Sequence, residues 1–133
     1  MKKTLLIAFC IIISHISFCQ KDSIRGQKFV LIGKILNQVK HKQKCGVIAW
    51  ATVVEFEIRK IAGMEYQNKT IGIISTCPEI YEDILKPNTM YEVDFSDTNQ
   101  ANFSWVILKS ELLKNNSLPF EPYLISLKRI EID

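Results

Sequence analysis

The sequence predicts a mainly β fold of five strands and one short helix, and three observations carry that expectation. The stretch VVEFEIRK alternates apolar Val54, Phe56 and Ile58 with charged Glu55, Glu57 and Arg59, the period-two pattern of a strand with one buried and one wet face. Short runs rich in branched residues, FVLIGKIL, TIGIIST and YLISLKRIEI, recur between polar stretches, as strands separated by loops do. One segment, CPEIYEDILKPN, carries both the start and the stop signals of a short helix.

The N-terminus precedes this fold. Lys2 and Lys3 lead into an apolar run from Leu5 to Ile13, the layout of a secretory signal peptide. The run is too short to span a bilayer, which takes about 20 apolar residues. Ser17 and Cys19 supply the small residues of a cleavage site, so residues 1–19 are expected to leave and the mature chain to begin at Gln20. Two other fates remain for Cys19. The stretch ISFCQ resembles the bacterial lipobox, which implies a lipid on Cys19, with Phe18 standing where that motif carries a small residue. Cleavage after Phe18 would instead make Cys19 the first residue.

Residues 20–28 are polar and read as a flexible segment, and residues 29–133 as one domain, the usual size for a single core. Phe29 to Leu36 forms the first strand, with Gly33 marking a bulge or bend. After the loop NQVKHKQKC, the alternation extends backwards through Thr52, Trp50 and Ile48. That predicts one strand from about Val47 to Ile61, long enough to bend and serve two sides of a barrel. AGMEYQNK turns the chain and Thr70 to Thr76 returns as the third strand. Pro78 suits the first turn of the helix, Glu79, Glu82 and Asp83 its positive end, and Ile80, Ile84 and Leu85 its apolar stripe. Tyr91, Val93 and Phe95 alternate with Glu92 and Asp94 as the fourth strand. Phe103 to Asn116 reads as a strand piece followed by a short helix, and Tyr123 to Ile132 as the last strand.

Composition excludes several function classes. The formal net charge is +3, two units of it carried by Lys2 and Lys3, so the mature chain lacks the basic excess by which nucleic-acid binders hold phosphates. Loss of the leader leaves Cys45 and Cys77, an even pair that in an exported chain predicts a disulfide. Closing that loop of about 32 residues is worth on the order of 3.5 kcal/mol. His41 is the single histidine after the leader, too few imidazole and thiolate ligands for a zinc or copper site. The sequence has no nucleophile elbow and no phosphate-cradling glycine loop. No metal, cofactor or catalytic residue is therefore expected. Glu55, Glu57, Glu92 and Asp94 are the carboxylates an acid–base enzyme would use, and they read as decoration of a wet face opposite Arg59, Lys128 and Arg129.

Three strands, a short helix, a strand, an elaborated connection and a last strand resemble the OB-fold, a five-stranded Greek-key barrel with its helix between strands three and four. Within that fold, the exported setting is similar to netrin-like and metalloproteinase-inhibitor modules, whose N-terminal Cys chelates zinc; this chain lacks their several paired cysteines. The resemblance implies a binding face flanked by the loop after strand one and the connection after strand four. That puts Lys40, Lys42 and Lys44 near Phe103 and Trp105, with Tyr66 in a turn as a further candidate. A basic rim with exposed aromatics suits a peptide, a protein or a glycan. The expected function is a non-enzymatic binding module, periplasmic or extracellular, of unknown partner. The alternatives are an inhibitor of an extracellular hydrolase and a lipid-anchored envelope component, the only reading that involves a membrane.

Overall fold

The computed structural model describes residues 23–37, 39, 43–81 and 84–131. The expected signal peptide, Cys19, Lys40, His41 and Lys42 lie outside them. The chain is mainly β. Its strands are β1 (Lys28–Ile35), β2 (Trp50–Ala62), β3 (Thr70–Thr76), β4 (Met90–Ser96), β5 (Val106–Leu108) and β6 (Tyr123–Arg129). They form one mixed sheet in the order β1-β4-β6-β3-β2-β5, and β1 also pairs with β2. Hydrogen-bonded neighbours thus run in a ring, β1-β2-β3-β6-β4, with the three-residue β5 attached to β2.

The length of β2 makes the ring possible. Its first half, Ala51 to Glu57, pairs with β3, and its second half, Phe56 to Ala62, pairs with β1. The hand-over falls beside the register shift between Ile32 and Gly33. A Cβ on Gly33 would stand 2.8 Å from the Glu57 carbonyl oxygen, so the bend needs a residue without a side chain. The ring is narrowest between β3 and β6, which pair in parallel at Ile74 and Tyr123, with the Ile74 N–H donating to Pro122 O at 2.8 Å.

Two apolar clusters lie on opposite faces of this sheet. The larger gathers Leu31, Val54, Phe56, Ile71, Ile73, Tyr91, Val93 and Phe95, the residues that alternation assigns to one face. The smaller gathers Ala51, Val53, Ile74 and Tyr123 beneath Trp105, Ile107, Leu112 and Leu113. A 3₁₀ helix (Ser110–Asn116) covers that second face, and β5, paired along the edge of β2, adds Ile107 to the same cluster. Both faces of β2 are consequently buried from Ala51 to Val54, where the sequence reads ATVV without alternation.

Three expectations change in detail. A sixth strand appears, because the strand piece before Ser110 pairs with β2. The strand β2 begins at Trp50, since its β3 partner ends at Thr76 opposite Ala51 and leaves residues 47–49 without a β3 neighbour. The segment after Cys77 makes a single 3₁₀ turn, Pro78–Ile80. Beyond it, the core Tyr91 hydroxyl donates to Ile84 O and accepts from the Lys86 N–H. The Lys86 N–H also donates to Ile84 O, and the Ile84 and Leu85 N–H groups both donate to Tyr81 O, so the tyrosine hydroxyl caps a tight turn.

Candidate functional site

The β2–β3 ladder runs from the Ala51–Thr76 pair to the Glu57–Thr70 pair, about 20 Å at 3.3 Å per residue. A candidate site lies beyond each end.

At the first end, three segments meet. Cys45 and Cys77 form a disulfide, and the Cys77 N–H donates to Trp50 O at 3.0 Å. The Val106 N–H donates to Ala49 O at 2.8 Å, and the Ile80 N–H to Cys77 O at 3.0 Å. Glu79 Oε1 accepts from the Cys45 N–H at 2.7 Å. With the backbone groups so engaged, apolar side chains remain outside: Val47, Ile48, Ile80, Val106 and Phe103 are all exposed. Phe103 lies against Trp105 with ring centroids 4.9 Å apart, and the Trp105 indole donates to Asn99 Oδ1 at 2.9 Å. Lys44 is exposed beside Cys45.

Cys45, Cys77 and Glu79 also form the one group of metal-ligating atoms, within 4.8 Å of one another, among the described residues. Sulfurs joined to each other are not thiolates, so the set does not fit zinc. Glu79 Oε2 is buried there without a hydrogen-bond partner.

At the other end, the turn after β2 faces the chain that follows the 3₁₀ helix across a cleft of about 560 Å³. Its floor is the rim of the larger core, where Met64, Tyr66, Leu118 and Phe120 pack in part. Phe120 stacks on Phe29 at 5.6 Å, and Phe29 on Phe95 at 5.2 Å. The two walls are tied together by amides. Asn68 Nδ2 donates to Asn115 O at 2.9 Å and Asn116 O at 3.3 Å. Asn116, 2% exposed, takes the Gly72 N–H at 2.7 Å and donates to Gly72 O at 2.8 Å, pairing with that residue as a strand neighbour would. The Tyr66 hydroxyl donates to Thr70 O at 2.9 Å. Burial pushes the Tyr66 phenol above its ordinary range, against a hydrogen bond with Asn68 that works the other way.

The sequence-derived candidates are therefore divided. Phe103, Trp105 and Lys44 lie toward the disulfide end, whereas Tyr66 lies in the cleft; Lys40 and Lys42 lie outside the described residues. Sequence reasoning missed Val47, Ile48 and Ile80, which it had assigned to strand and helix faces. It also missed Asn68, Asn116 and Phe120, for which the only signal was amides recurring beside a turn and a helix end.

The carboxylates have basic neighbours. Glu57 is 3.0 Å from Lys34 and 3.9 Å from Arg59, and the hydrogen bond and charge of Lys34, then the charge of Arg59, hold its carboxyl below the usual range. Asp94 is 3.0 Å from Lys28 and accepts from the Ser126 hydroxyl. Glu92 stands opposite Lys128 in register. The strand β1 separates β2 from β4, so the two carboxylate pairs do not share an edge.

No helix among the described residues is long and apolar enough to cross a membrane. No protein-family model matches this chain, and neither a curated protein nor a solved structure resembles it significantly.

Proposed function

We propose that this chain is an exported, non-enzymatic binding module of OB-like fold that holds an apolar segment of a partner protein at its disulfide end. The observation that carries the reading is that Val47, Ile48, Ile80 and Val106, all exposed, lie on segments joined to one another by the Cys45–Cys77 disulfide and by backbone hydrogen bonds, with exposed Phe103 three residues before Val106. Single apolar side chains in water are ordinary; several on three mutually bonded segments form a patch of the kind that marks an interaction site. Aliphatic groups offer a glycan or a nucleic acid no hydrogen bonds, and they match the side chains of a peptide. Lys44 at the margin favours an acidic residue beside that segment.

Support for the OB-like reading comes from the pairing order. The series β4-β1-β2-β3 is a Greek-key order, and β6 enters between β3 and β4 to complete a five-membered ring. On this reading β5 and the 3₁₀ helix elaborate the connection between the fourth and fifth ring strands. Export is supported by the basic and apolar leader together with the disulfide. The basic partners of Glu57, Asp94 and Glu92 support the absence of acid–base catalysis, which needs a pair of groups pushed apart in pKa.

A photo-crosslinking residue placed at Val47 or Ile80 in the native host is expected to capture one protein, identified by mass; the same residue at Glu92 is expected to capture nothing. Purified, that partner should bind the wild-type chain and lose at least tenfold in affinity to Val47→Asp. Equal capture from both positions would overturn the reading. An adduct of twice the chain mass would assign the patch to self-association instead. Intact mass of the recovered protein tests export: residues 20–133, two hydrogens below the reduced mass, is the expected species.

A further inference from the structure

We propose that the cleft between residues 64–68 and 116–120 is a second binding site, for a neutral oligosaccharide. It lies at the opposite end of the β2–β3 ladder from the apolar patch and does not rest on the protein-partner reading.

The first argument is that the cleft is preformed. Its walls are joined to each other by the Asn68 amide, and the far wall is fixed to the sheet by the buried Asn116 amide. Ser117, at the turn into the far wall, holds φ at 53°, a left-handed backbone that costs a residue with a Cβ about 1 kcal/mol. A strained residue at the lip of a rigid concavity is a feature of ligand clamps. The volume lies within the range of small-molecule sites.

The second argument is the chemistry of the lining. Half-buried Tyr66, Phe120 and Met64 offer apolar surface on the floor, while exposed Gln67, Ser117 and Glu65 carry amide, hydroxyl and carboxylate groups at the rim. A pyranose presents the same division, with apolar C–H faces for the floor and hydroxyls at its edge for the rim. Glu65 is the one charged side chain lining the cleft, so nothing there compensates an anion. A peptide read through its main chain would need free backbone groups. The carbonyls of Thr70, Asn115 and Asn116 are already taken by Tyr66 and Asn68.

Backbone amide shifts of the wild-type protein titrated with maltotriose, cellotriose and tri-N-acetylchitotriose provide the test. At least one of these is expected to move the resonances of residues 64–68 and 116–120 saturably and to leave residues 45–50 unmoved. Ser117→Gly relieves the left-handed strain, so it is expected to keep or raise thermal stability while weakening the sugar about fivefold through loss of one hydroxyl contact. Gln67→Ala, an exposed substitution, is expected to weaken it similarly with unchanged stability. The proposal fails if none of the three sugars moves the cleft resonances at millimolar concentration. It fails equally if the shifts map to the disulfide end, or if trigalacturonate or an extended apolar heptapeptide binds the cleft more tightly than every neutral sugar.

Discussion

The two ends of the β2–β3 ladder are closed by different chemistry. At one end a covalent bond joins Cys45 to Cys77, and the side chains around it are apolar and left in water. At the other, no covalent bond is used; the Asn68 and Asn116 amides hold two walls together, and the apolar side chains between them are partly withdrawn into the core. A covalent staple fixes a corner without needing side-chain packing, so the residues near it are free to face outward. Of the two amides only Asn116 is shielded, and its buried pairing with Gly72 is stronger than a bond that competes with water. The contrast predicts a sticky end and a shaped end.

The largest expected effect comes from the staple. Replacing both cysteines, Cys45→Ala with Cys77→Ala, is expected to lower stability by on the order of 3.5 kcal/mol in denaturant titration. The loss should be local in hydrogen exchange: amides of residues 45–50 and 77–81 lose protection, and the Gly72 amide keeps it. If Gly72 exchange accelerates in parallel, the two ends form one cooperative unit and the contrast collapses.

The second effect tests the other end. Asn116→Ala leaves the Gly72 N–H and C=O buried without partners, and each such group costs about 1 to 3 kcal/mol. A loss of roughly 2 to 3 kcal/mol is expected after partial rescue by water. Gly72→Ala acts on the same contact sterically. Its Cβ would stand 2.8 Å from the Val53 side chain and 3.3 Å from Leu112 O, pressing the 3₁₀ helix away from the sheet at about 1 to 3 kcal/mol. Both variants should spare protection at residues 45–50. Neutral behaviour of Asn116→Ala would mean that the far wall is held to the sheet by packing and not by the amide pair with Gly72.

How much of this was legible in the sequence depends on whether one face or two are covered. Where β2 is covered on one face, Val54, Phe56 and Ile58 alternate with charges and the strand is plain. Where the 3₁₀ helix covers its second face, Ala51 to Val54 lose the alternation, and FSWVILKSELL is apolar on too many sides to show its own conformation. Its 3₁₀ helix begins after Lys109 and ends before Ser117, both left-handed without being glycine, a geometry set by tertiary contacts that no local propensity predicts. The apolar stripe Ile80, Ile84 and Leu85 suits a helix, yet of the three only Leu85 is buried. The patch was misread for a related reason. Val47 and Ile48 continue the strand pattern, but the pattern does not reveal that β3 has ended beside them. The cleft was nearly invisible, since Asn68 and Asn116 act through partners more than 40 residues away in the chain.

The smallest effect compares two phenols, one toward each end. Tyr123 belongs to the outer cluster with Ala51 and donates to Glu121 Oε2 at 2.9 Å; its pKa is pushed up to about 12, first by burial, then by the hydrogen bond to Glu121 and its charge. Tyr66 in the cleft is raised as well. A phenol that ionises later when folded leaves the folded state holding more protons than the unfolded one above the ordinary tyrosine pKa, so stability falls as pH rises through that window. The contribution is whole below about pH 10 and is lost as the pH approaches about 12. Tyr123→Phe is expected to flatten this alkaline decline in denaturant titrations across the window. Glu121→Gln should lower the Tyr123 pKa, read from phenolate absorbance, without returning it to the ordinary value, because burial, the largest single cause, remains. A return to the ordinary value in Glu121→Gln would show that the carboxylate, and not the cover of the 106–116 segment, sets the environment of Tyr123, and would make that cover looser than the cleft walls.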